Sequence, residues 1–250
     1  GIRRMGWYHS RQNDFMVLIG GESGAGKSTA LMNIKNPEGV LYLNCDAGKK
    51  LPFRNKFNTV TVTHPMQVLE GIKAANESEK IHTVIMDTLS FLMEMYETQI
   101  VLRADDTRSA WGDYAQYLKT LMQEYIAGST KNIIILSHIA DYVDESAGTK
   151  KVQVPLKGAS AKVGVEAYLS VVVNAKKVPI IELEKYPSEY LNITEEERIQ
   201  GFKHVFQTKV TAKTTAERIR GPIGMFKVNE VYMDNDVQLL LDILHEYYEA

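Results

Sequence analysis

The chain contains 250 residues with a formal net charge of −2, and 44% of the residues are hydrophobic and 24% charged. This balance is ordinary for a soluble globular protein and gives no overall attraction to nucleic acids or anionic membranes, so such binding must depend on local patches. The single cysteine, Cys45, cannot form an internal disulfide, which suits a reducing compartment. Because no signal peptide or long apolar run is present, we expect a cytoplasmic protein without a membrane partner.

Short apolar segments of strand length alternate with longer amphipathic stretches along most of the chain. Six of these segments are rich in β-branched residues and lie at 15–20, 39–44, 59–63, 82–87, 132–138 and 168–175. Several are apolar on both faces, as expected for parallel strands that are covered by helices on both sides. The alternation therefore predicts an α/β fold with a mostly parallel sheet and right-handed connections.

Large apolar residues recur at intervals of three and four between the fourth and fifth of these segments. The positions are Trp111, Tyr114, Ala115, Leu118, Leu121, Met122 and Tyr125. This spacing predicts a helix with one apolar face. We interpret its aromatic residues as part of the core rather than as a ligand site, because large aromatic side chains are most often buried.

The pattern changes after residue 175. Segments 205–212 and 225–233 are predicted to be strands that close or extend the sheet. Residues 236–249 have the pattern of a capped C-terminal helix. We therefore expect an extension of the sheet, followed by one more helix, at the end of the chain.

A charged stretch at about 180–204 separates the parallel part of the predicted sheet from this extension. It contains Thr194, followed three positions later by Glu197, which is the pattern of a capping box at a helix N-terminus. We predict an inserted surface helix here. The insertion belongs to a single expected domain that spans residues 1–250 and has its core between about 15 and 233.

The first predicted strand is followed by a phosphate-binding pattern: Gly21, four residues, and then Gly26, Lys27 and Ser28. Glycines let backbone N–H groups converge on phosphate oxygens, and a helix N-terminus adds partial positive charge. We predict that Lys27 bridges the β- and γ-phosphates, that the Ser28 hydroxyl ligates Mg²⁺ and that Thr29 starts the helix. The predicted nucleotide-binding residues are Gly21, Glu22, Ser23, Gly24, Ala25, Gly26, Lys27, Ser28 and Thr29.

Two acidic residues complete the predicted site. Asp87 ends the fourth strand and is predicted to hold the Mg²⁺ through its water shell. It is followed by Thr88 rather than by Glu, which disfavours enzymes that place the water-activating carboxylate directly after the magnesium aspartate. Asp46, just past the second strand, is the candidate base; it could also be only a turn former beside Gly48. A GTPase is not favoured, because the stretch at 174–177 lacks the aspartate that reads guanine.

In this order, the stretches GGESGAGKST, LYLNCDAG, VIMDTLS, IIILSHIADY and VPLKGASAKVG resemble the RecA-type recombinase core. They are most similar to the core-only ATPases of bacteriophages that act in single-strand annealing and recombination. The resemblance covers roughly residues 15–233 and implies a three-layer P-loop NTPase fold with an antiparallel C-terminal extension. It also implies ATP as the nucleotide, a homo-oligomeric ring or filament, single-stranded DNA as a ligand, a single-strand-binding or other recombination protein as a partner, and the bacterial host cytoplasm as the location.

The resemblance assigns roles to two polar residues at strand ends. Asp46 matches the position of the general base, where the family usually has Glu, and the shorter side chain suggests slow hydrolysis. His138 matches the position of a polar residue that senses the γ-phosphate, where many relatives have Gln; alone, such a histidine is more often structural. The expected catalytic set is therefore Lys27, Asp46, Asp87 and His138.

Two basic clusters follow. Residues 147–165 contain four lysines, three glycines and no acid, which suits a mobile loop that becomes ordered on a phosphate backbone. Charge alone favours a solvated surface loop here, whereas the resemblance implies contact with DNA. The candidate DNA-binding residues are Lys150, Lys151, Lys157 and Lys162. The second cluster provides candidates for cations that reach the ATP of a neighbouring subunit, with a solvated face or a DNA contact as alternatives. These residues are Lys213, Arg218 and Arg220.

The predicted function is thus an ATPase that oligomerises around ATP and binds single-stranded DNA. The alternative from a different class is an ATP-gated scaffold or clamp, with little hydrolysis and a protein partner, which Asp rather than Glu at position 46 favours slightly. A small-molecule kinase is disfavoured, because no arginine-rich lid is recognisable.

Overall fold

The computed structural model describes residues 13–249. Its strands are β1 (Met16–Gly20), β2 (Val40–Asn44), β3 (Asn58–Thr61), β4 (Thr83–Asp87), β5 (Asn132–Ser137), β6 (Ala140–Asp144), β7 (Thr149–Gln153), β8 (Val171–Pro179), β9 (Phe202–Gln207) and β10 (Tyr232–Asp234). Its α-helices are α1 (Met66–Glu77), α2 (Leu89–Tyr96), α3 (Thr107–Thr120), α4 (Ser160–Val163), α5 (Ile180–Leu183), α6 (Glu195–Gln200) and α7 (Val237–Glu249).

Eight of these strands form one sheet in the order β10-β9-β8-β1-β5-β4-β2-β3. The six strands from β8 to β3 are parallel, whereas β9 and β10 pair antiparallel at one edge. The prediction of a mostly parallel sheet with an antiparallel C-terminal extension is confirmed. The chain has the α/β fold of a P-loop NTPase.

The central strands are buried on both faces, and their side chains alternate between two apolar layers. Met16 and Leu18 of β1 pack with the core that lies beneath α1, α2 and α3. Val17 and Ile19 point to the opposite face and pack with α7. This alternation follows from the two-residue period of a strand, and it explains why these segments read as continuous apolar runs.

The helix predicted from the aromatic spacing is α3, which continues through wider turns to Ile126. Asp106 begins it, because its side chain accepts a hydrogen bond from the backbone N–H of Ser109. Tyr114, Leu118 and the turns that follow are buried against the sheet, as the spacing predicted. None of the helices within residues 13–249 combines the length and apolar character needed to cross a bilayer.

The predictions for the C-terminal part need correction. The strand predicted at 205–212 ends at Gln207, whose side chain donates to the Lys209 carbonyl and the Thr214 hydroxyl and so holds a turn. Of the strand predicted at 225–233, only the last two residues join β10; Met225 and Phe226 are buried from a turn instead. Apolar runs of this length do not distinguish a strand from a buried loop.

The charged insertion contains two short helices, α5 and α6, rather than one. The capping box predicted for Thr194 and Glu197 is present. Glu197 also accepts hydrogen bonds from the buried Lys203 ammonium group at 2.9 and 3.0 Å, which attaches the insertion to β9.

The segment at 147–165 was predicted to be a loop, and this is wrong in part. Residues Thr149–Gln153 form β7, which pairs antiparallel with β6 in a two-stranded hairpin, and Ser160–Val163 form the short α4. The polar character of these strands hid them, because neither face of the hairpin is apolar enough to produce an alternating pattern.

Candidate nucleotide site

The parallel strands place several predicted site residues in one row at the carboxyl edge of the sheet. Gly20 of β1 is aligned with Ser137 of β5, and Asp87 of β4 is aligned with Asn44 of β2 and Leu136 of β5. Ligands of open α/β sheets bind at this edge, where polar side chains leave the strands. The P-loop, Asp46, Asp87 and His138 therefore approach one another although they are far apart in sequence.

The P-loop connects β1 to a very short helical turn. Gly24 and Gly26 have φ angles of +80° and +101°, which L side chains rarely adopt, so these two glycines are required by the backbone. The prediction of a helix after the loop is wrong in its length, because the helical structure is a single 3₁₀ turn formed by Thr29–Leu31. Thr29 lies at its start, as predicted. The chain then reaches β2 within nine residues, which leaves no room for a long helix.

Residues from the other end of the chain hold the P-loop backbone. The Nδ1 of His204 on β9 donates to the Ala25 carbonyl at 3.1 Å, and the Asn235 amide donates to the Gly26 carbonyl at 2.8 Å. Leu31 packs in the same apolar cluster as α7. The sequence analysis missed both anchoring residues, because the sequence does not show that β9 and α7 fold over the loop.

Lys27 is buried, with 8% of its surface exposed. Its ammonium group donates to the carbonyls of Gly21 and Glu22 at 2.7 and 2.8 Å. Burial lowers the pKa of this lysine, although the charges of Asp87 and Glu22 oppose the shift. The geometry thus holds a cation at the start of the loop, where a phosphate group would compete with two neutral carbonyls for it.

Asp87 is the central carboxylate of the row and is 9% exposed. The Tyr42 hydroxyl donates a short hydrogen bond to its Oδ2. Burial raises the pKa of Asp87, and the nearby charge of Asp46 adds to the shift, while Tyr42, Lys27 and His138 oppose it. A bound cation would stabilise this buried negative charge, so the position fits the predicted magnesium role.

Tyr42 is a site residue that the sequence analysis missed. Burial raises its pKa, and the adjacent Asp87 raises it further, so the phenol stays protonated and remains a donor. It lies in an apolar strand pattern, where tyrosine is usually a core residue. Only the alignment of β2 beside β4 shows that its hydroxyl reaches the carboxylate.

His138 follows β5 and is fixed by the segment after Asp87. Its Nδ1 lies 2.8 Å from the Ser90 hydroxyl, which in turn lies 3.2 Å from the Thr88 hydroxyl. The Phe91 ring packs edge-on against the imidazole, with a centroid distance of 4.9 Å. Burial and the charge of Lys27 lower the pKa of His138, which favours the neutral ring.

Asp46 is half-buried and begins a tight turn after β2. Its backbone N–H donates to the Asn44 side chain at 2.9 Å, and its carbonyl accepts from Lys49 at 2.9 Å. Ala47 and Gly48, which follow in this turn, both have positive φ angles. Asp46 is therefore a turn residue whose carboxylate also acts on the pKa of Asp87, so the two interpretations of this position are compatible.

The side chains of the site fit a nucleoside triphosphate and its metal. Within residues 13–249, no cluster of three or more His, Cys, Asp or Glu side chains is arranged to hold a metal ion by itself. Mg²⁺ usually combines one or two protein oxygens with phosphate oxygens and waters, and Ser28 and Asp87 provide such oxygens here. Comparison with known families adds that the model of the AAA domain (AAA_24) matches residues 13–216.

The chain belongs to this family of P-loop ATPases. No curated protein matches it. Membership of this family implies that the AAA domain binds a nucleotide.

The four lysines predicted to bind DNA differ in their surroundings in this AAA domain. Lys150 pairs with Asp141 at 2.9 Å, and Lys157 pairs with Glu97 at 2.6 Å. Lys151 and Lys162 are exposed. Two of the four lysines are thus paired with carboxylates from outside the stretch 147–165. One carboxylate comes from β6 and the other from the residue that follows α2.

The three cations predicted to act on a neighbouring subunit lie on an excursion of the chain after β9. Arg218 and Arg220 donate to the carbonyls of Val163 and Ala167 in their own chain at 3.2 and 3.3 Å. Lys213 is exposed. Both arginines therefore have a structural contact within the chain, where they hold the segment around α4.

A partly buried ionic network attaches this excursion to β8. Glu217 accepts from Lys176 and from Asn174, each at 2.7 Å. Glu217 and Lys176 also line a cleft of about 640 Å³ between the P-loop and the β6–β7 hairpin. Sequence analysis missed this network, because its members lie 41 and 43 positions apart.

Proposed function

We propose that this AAA domain hydrolyses ATP with Mg²⁺ and couples hydrolysis to assembly and to single-stranded DNA in the recombination, annealing or replication of a phage genome. Family membership supports ATP binding and hydrolysis. The observation that carries the catalytic part is the convergence of the P-loop, Asp46 and His138 on Asp87, because the strands that precede them end side by side at the carboxyl edge of the sheet. The order of the motifs, which resembles phage RecA-type ATPases, supports the DNA part.

The P-loop would hold the triphosphate. Gly24 and Gly26 allow backbone N–H groups to face the phosphates, and the Lys27 ammonium group would exchange its carbonyl partners for phosphate oxygens. Ser28 and Asp87 would hold Mg²⁺, Asp87 through the water shell of the ion. When bound, Mg²⁺ neutralises phosphate charge and favours attack on the γ-phosphorus.

Asp46 would orient the attacking water and accept its proton. The water oxygen forms a bond to the γ-phosphorus while the bond from that phosphorus to the β–γ bridging oxygen breaks, which yields ADP and phosphate. Lys27 and His138 would donate hydrogen bonds to the γ-phosphate oxygens as the transition state forms. The neutral His138 ring, held through Nδ1 by Ser90, retains Nε2 for that contact.

The assembly and DNA parts of the proposal rest on exposed cations. Lys213 is exposed on the excursion after β9, where it would reach the ATP of a neighbouring subunit in a ring or filament. Arg218 and Arg220 would reach it only after leaving their own-chain carbonyls. Lys151 and Lys162 would contact the DNA backbone directly, while Lys150 and Lys157 would first exchange their carboxylate partners.

Phosphate release with and without a single-stranded oligonucleotide tests this function. We expect Lys27→Ala to abolish ATP binding and Asp46→Asn to lower kcat by about 100-fold, the low end for loss of a general base, with ATP binding retained. Asp113→Asn, an exposed change on α3, is the matched control and should behave as wild type. Light scattering of the same samples with and without ATP tests the assembly.

Opposite outcomes would refute separate parts of the proposal. Full turnover in Lys27→Ala contradicts the P-loop assignment, and an unchanged kcat in Asp46→Asn contradicts the base. ATP binding without turnover, and without any response to the oligonucleotide, favours instead the ATP-gated clamp, for which the short Asp46 side chain is the supporting observation.

A further inference from the structure

A basic segment directly after Asp46 takes no part in the chemistry described above. Residues 47–69 contain four cations and no Asp or Glu. The cations are Lys49, Lys50, Arg54 and Lys56, and Phe53 and Phe57 lie between them in the sequence. The segment begins at the nucleotide end of the sheet, directly after β2, and leads to the start of the parallel edge strand β3.

Three of these cations have no acidic partner in the described structure. Lys56 lies 3.8 Å from the Glu38 carboxylate. Among residues 13–249, no carboxylate lies within 4.0 Å of Lys49, Lys50 or Arg54, and all three side chains are exposed. Unmatched cations on one surface create a local positive potential, in a protein whose net charge is slightly negative.

The same three cations line a cleft of about 700 Å³. Its other polar lining residues offer amide and hydroxyl groups: Tyr42, Asn44, Asn55, Thr59 and Thr61. Its apolar lining includes the half-buried Phe53 ring. One wall is β3, whose four residues are all exposed and which has a partner strand on one side only.

This lining matches the chemistry of a nucleic acid strand. Lysine and arginine bind the phosphodiester backbone without reading sequence, and an aromatic ring beside them provides a stacking surface for a base. The cleft is much larger than a phosphate ion, and the carboxylates of an acidic peptide would pair with the cations but not with the aromatic ring. We propose that single-stranded nucleic acid binds in this cleft through Lys49, Lys50 and Arg54, with a base against Phe53.

The cleft is connected to the catalytic row by direct contacts. The Phe53 ring packs against Phe57 with centroids 6.3 Å apart, Phe57 packs against Tyr42 at 6.1 Å, and Tyr42 donates to Asp87. On the other wall, Asn44 accepts from the Asp46 N–H and donates to the Lys49 carbonyl. A nucleic acid strand bound in the cleft would therefore act on the carboxylates of Asp46 and Asp87. This inference rests on the proposed ATPase function, and it explains how DNA would stimulate hydrolysis.

Binding of a labelled oligothymidylate, followed by fluorescence anisotropy at several salt concentrations, tests the site. We expect the Lys49→Ala/Lys50→Ala/Arg54→Ala variant to bind at least about 10-fold more weakly, and the slope of log affinity against log salt to fall by about 2, at ~0.7 per lost phosphate contact. Binding of a fluorescent ATP analogue should not change. Phe53→Leu should weaken oligonucleotide binding and leave the salt slope as it is, because it removes stacking without removing charge.

One control variant and one comparison variant remove equal or greater charge elsewhere. Lys73→Ala/Lys80→Ala/Lys119→Ala removes three exposed cations from α1, the turn after it and α3, and should leave affinity and slope near wild type. The Lys150→Ala/Lys151→Ala/Lys157→Ala/Lys162→Ala variant measures the contribution of the hairpin and the segment after it. Polyglutamate at matched charge concentration is the competitor that distinguishes an acidic protein from nucleic acid.

Several results would overturn the cleft assignment. The first is unchanged affinity and salt slope in the triple variant. The second is a loss of ATP binding equal to the loss of oligonucleotide binding, which would make the cleft part of the nucleotide site. The third is displacement of the oligonucleotide by polyglutamate. Failure of the wild type to bind any oligonucleotide, with ATP hydrolysis intact, would overturn the cleft and the DNA part of the proposed function but not the ATPase.

Discussion

The nucleotide site and the basic cleft share Tyr42 as a wall, but the charged side chains are buried in the site and exposed in the cleft. In the site, Lys27 and Asp87 are buried, and their pKa values are shifted toward the neutral forms. In the cleft, Lys49, Lys50 and Arg54 are exposed and have no carboxylate within 4.0 Å among residues 13–249. The buried charges of the site lower the stability of the fold until a phosphate and a metal bind beside them, whereas the exposed charges of the cleft have little effect on stability.

The largest effect is expected from Asp87→Asn, which removes the buried negative charge that distinguishes the nucleotide site from the cleft. We expect kcat to fall by about 100-fold or more, because a preorganised charge beside the reacting phosphate is lost. We expect Tm without nucleotide to rise by about 2–4 °C, what ~1 kcal/mol corresponds to in a chain of this size, because a neutral amide replaces a carboxylate whose ionisation burial opposes. Phosphate release and thermal unfolding measure the two effects, and a lower Tm would contradict our account of the buried charge.

A smaller effect is expected from Tyr42→Phe, which removes the hydroxyl that donates a hydrogen bond from the wall of the cleft to Asp87. The loss leaves the buried Asp87 Oδ2 without its hydrogen bond and should cost about 1–3 kcal/mol of stability. ATP turnover should fall, and its stimulation by an oligonucleotide should fall further. In the Asp87→Asn background the same change should cost less, and equal costs in the two backgrounds would show that the residues are not coupled.

The smallest effect is expected from His138→Gln and concerns pH. The pKa of His138 is lowered from its ordinary value of 6.5, so the unfolded chain binds this proton more readily than the folded one. Its contribution to stability is therefore present above about pH 6.5 and is lost as the pH falls. Thermal unfolding between pH 5 and 7 should show a shallower decrease for the variant, whereas His64→Gln, an exposed control, should follow wild type.

The sequence predicted the parts of this molecule that depend on short-range pattern. The P-loop spacing, the apolar runs of β1, β4 and β5, and the capping box at Thr194 each involve residues that are close in the chain. The central fold follows from them, because alternating strands and helices restrict the connections that are possible.

What could not be predicted depends on partners that are distant in sequence. Nothing near Lys157 indicates that Glu97, sixty positions earlier, neutralises it. The hydroxyl of Tyr42 reaches Asp87 only because β2 and β4 are adjacent. The run 49–56 was passed over, since a count of charges does not show which of them remain without a partner after folding.

The support of the P-loop by His204, Asn235 and α7 has a consequence for how the protein is made. A ribosome delivers the phosphate loop early and the residues that hold it more than 170 positions later. A nascent chain that ends before β9 lacks both polar anchors, so we expect its loop to hold a triphosphate more weakly. Formation of the nucleotide site is thus coupled to the folding of β9 and α7, which are synthesised after all the parallel strands of the sheet.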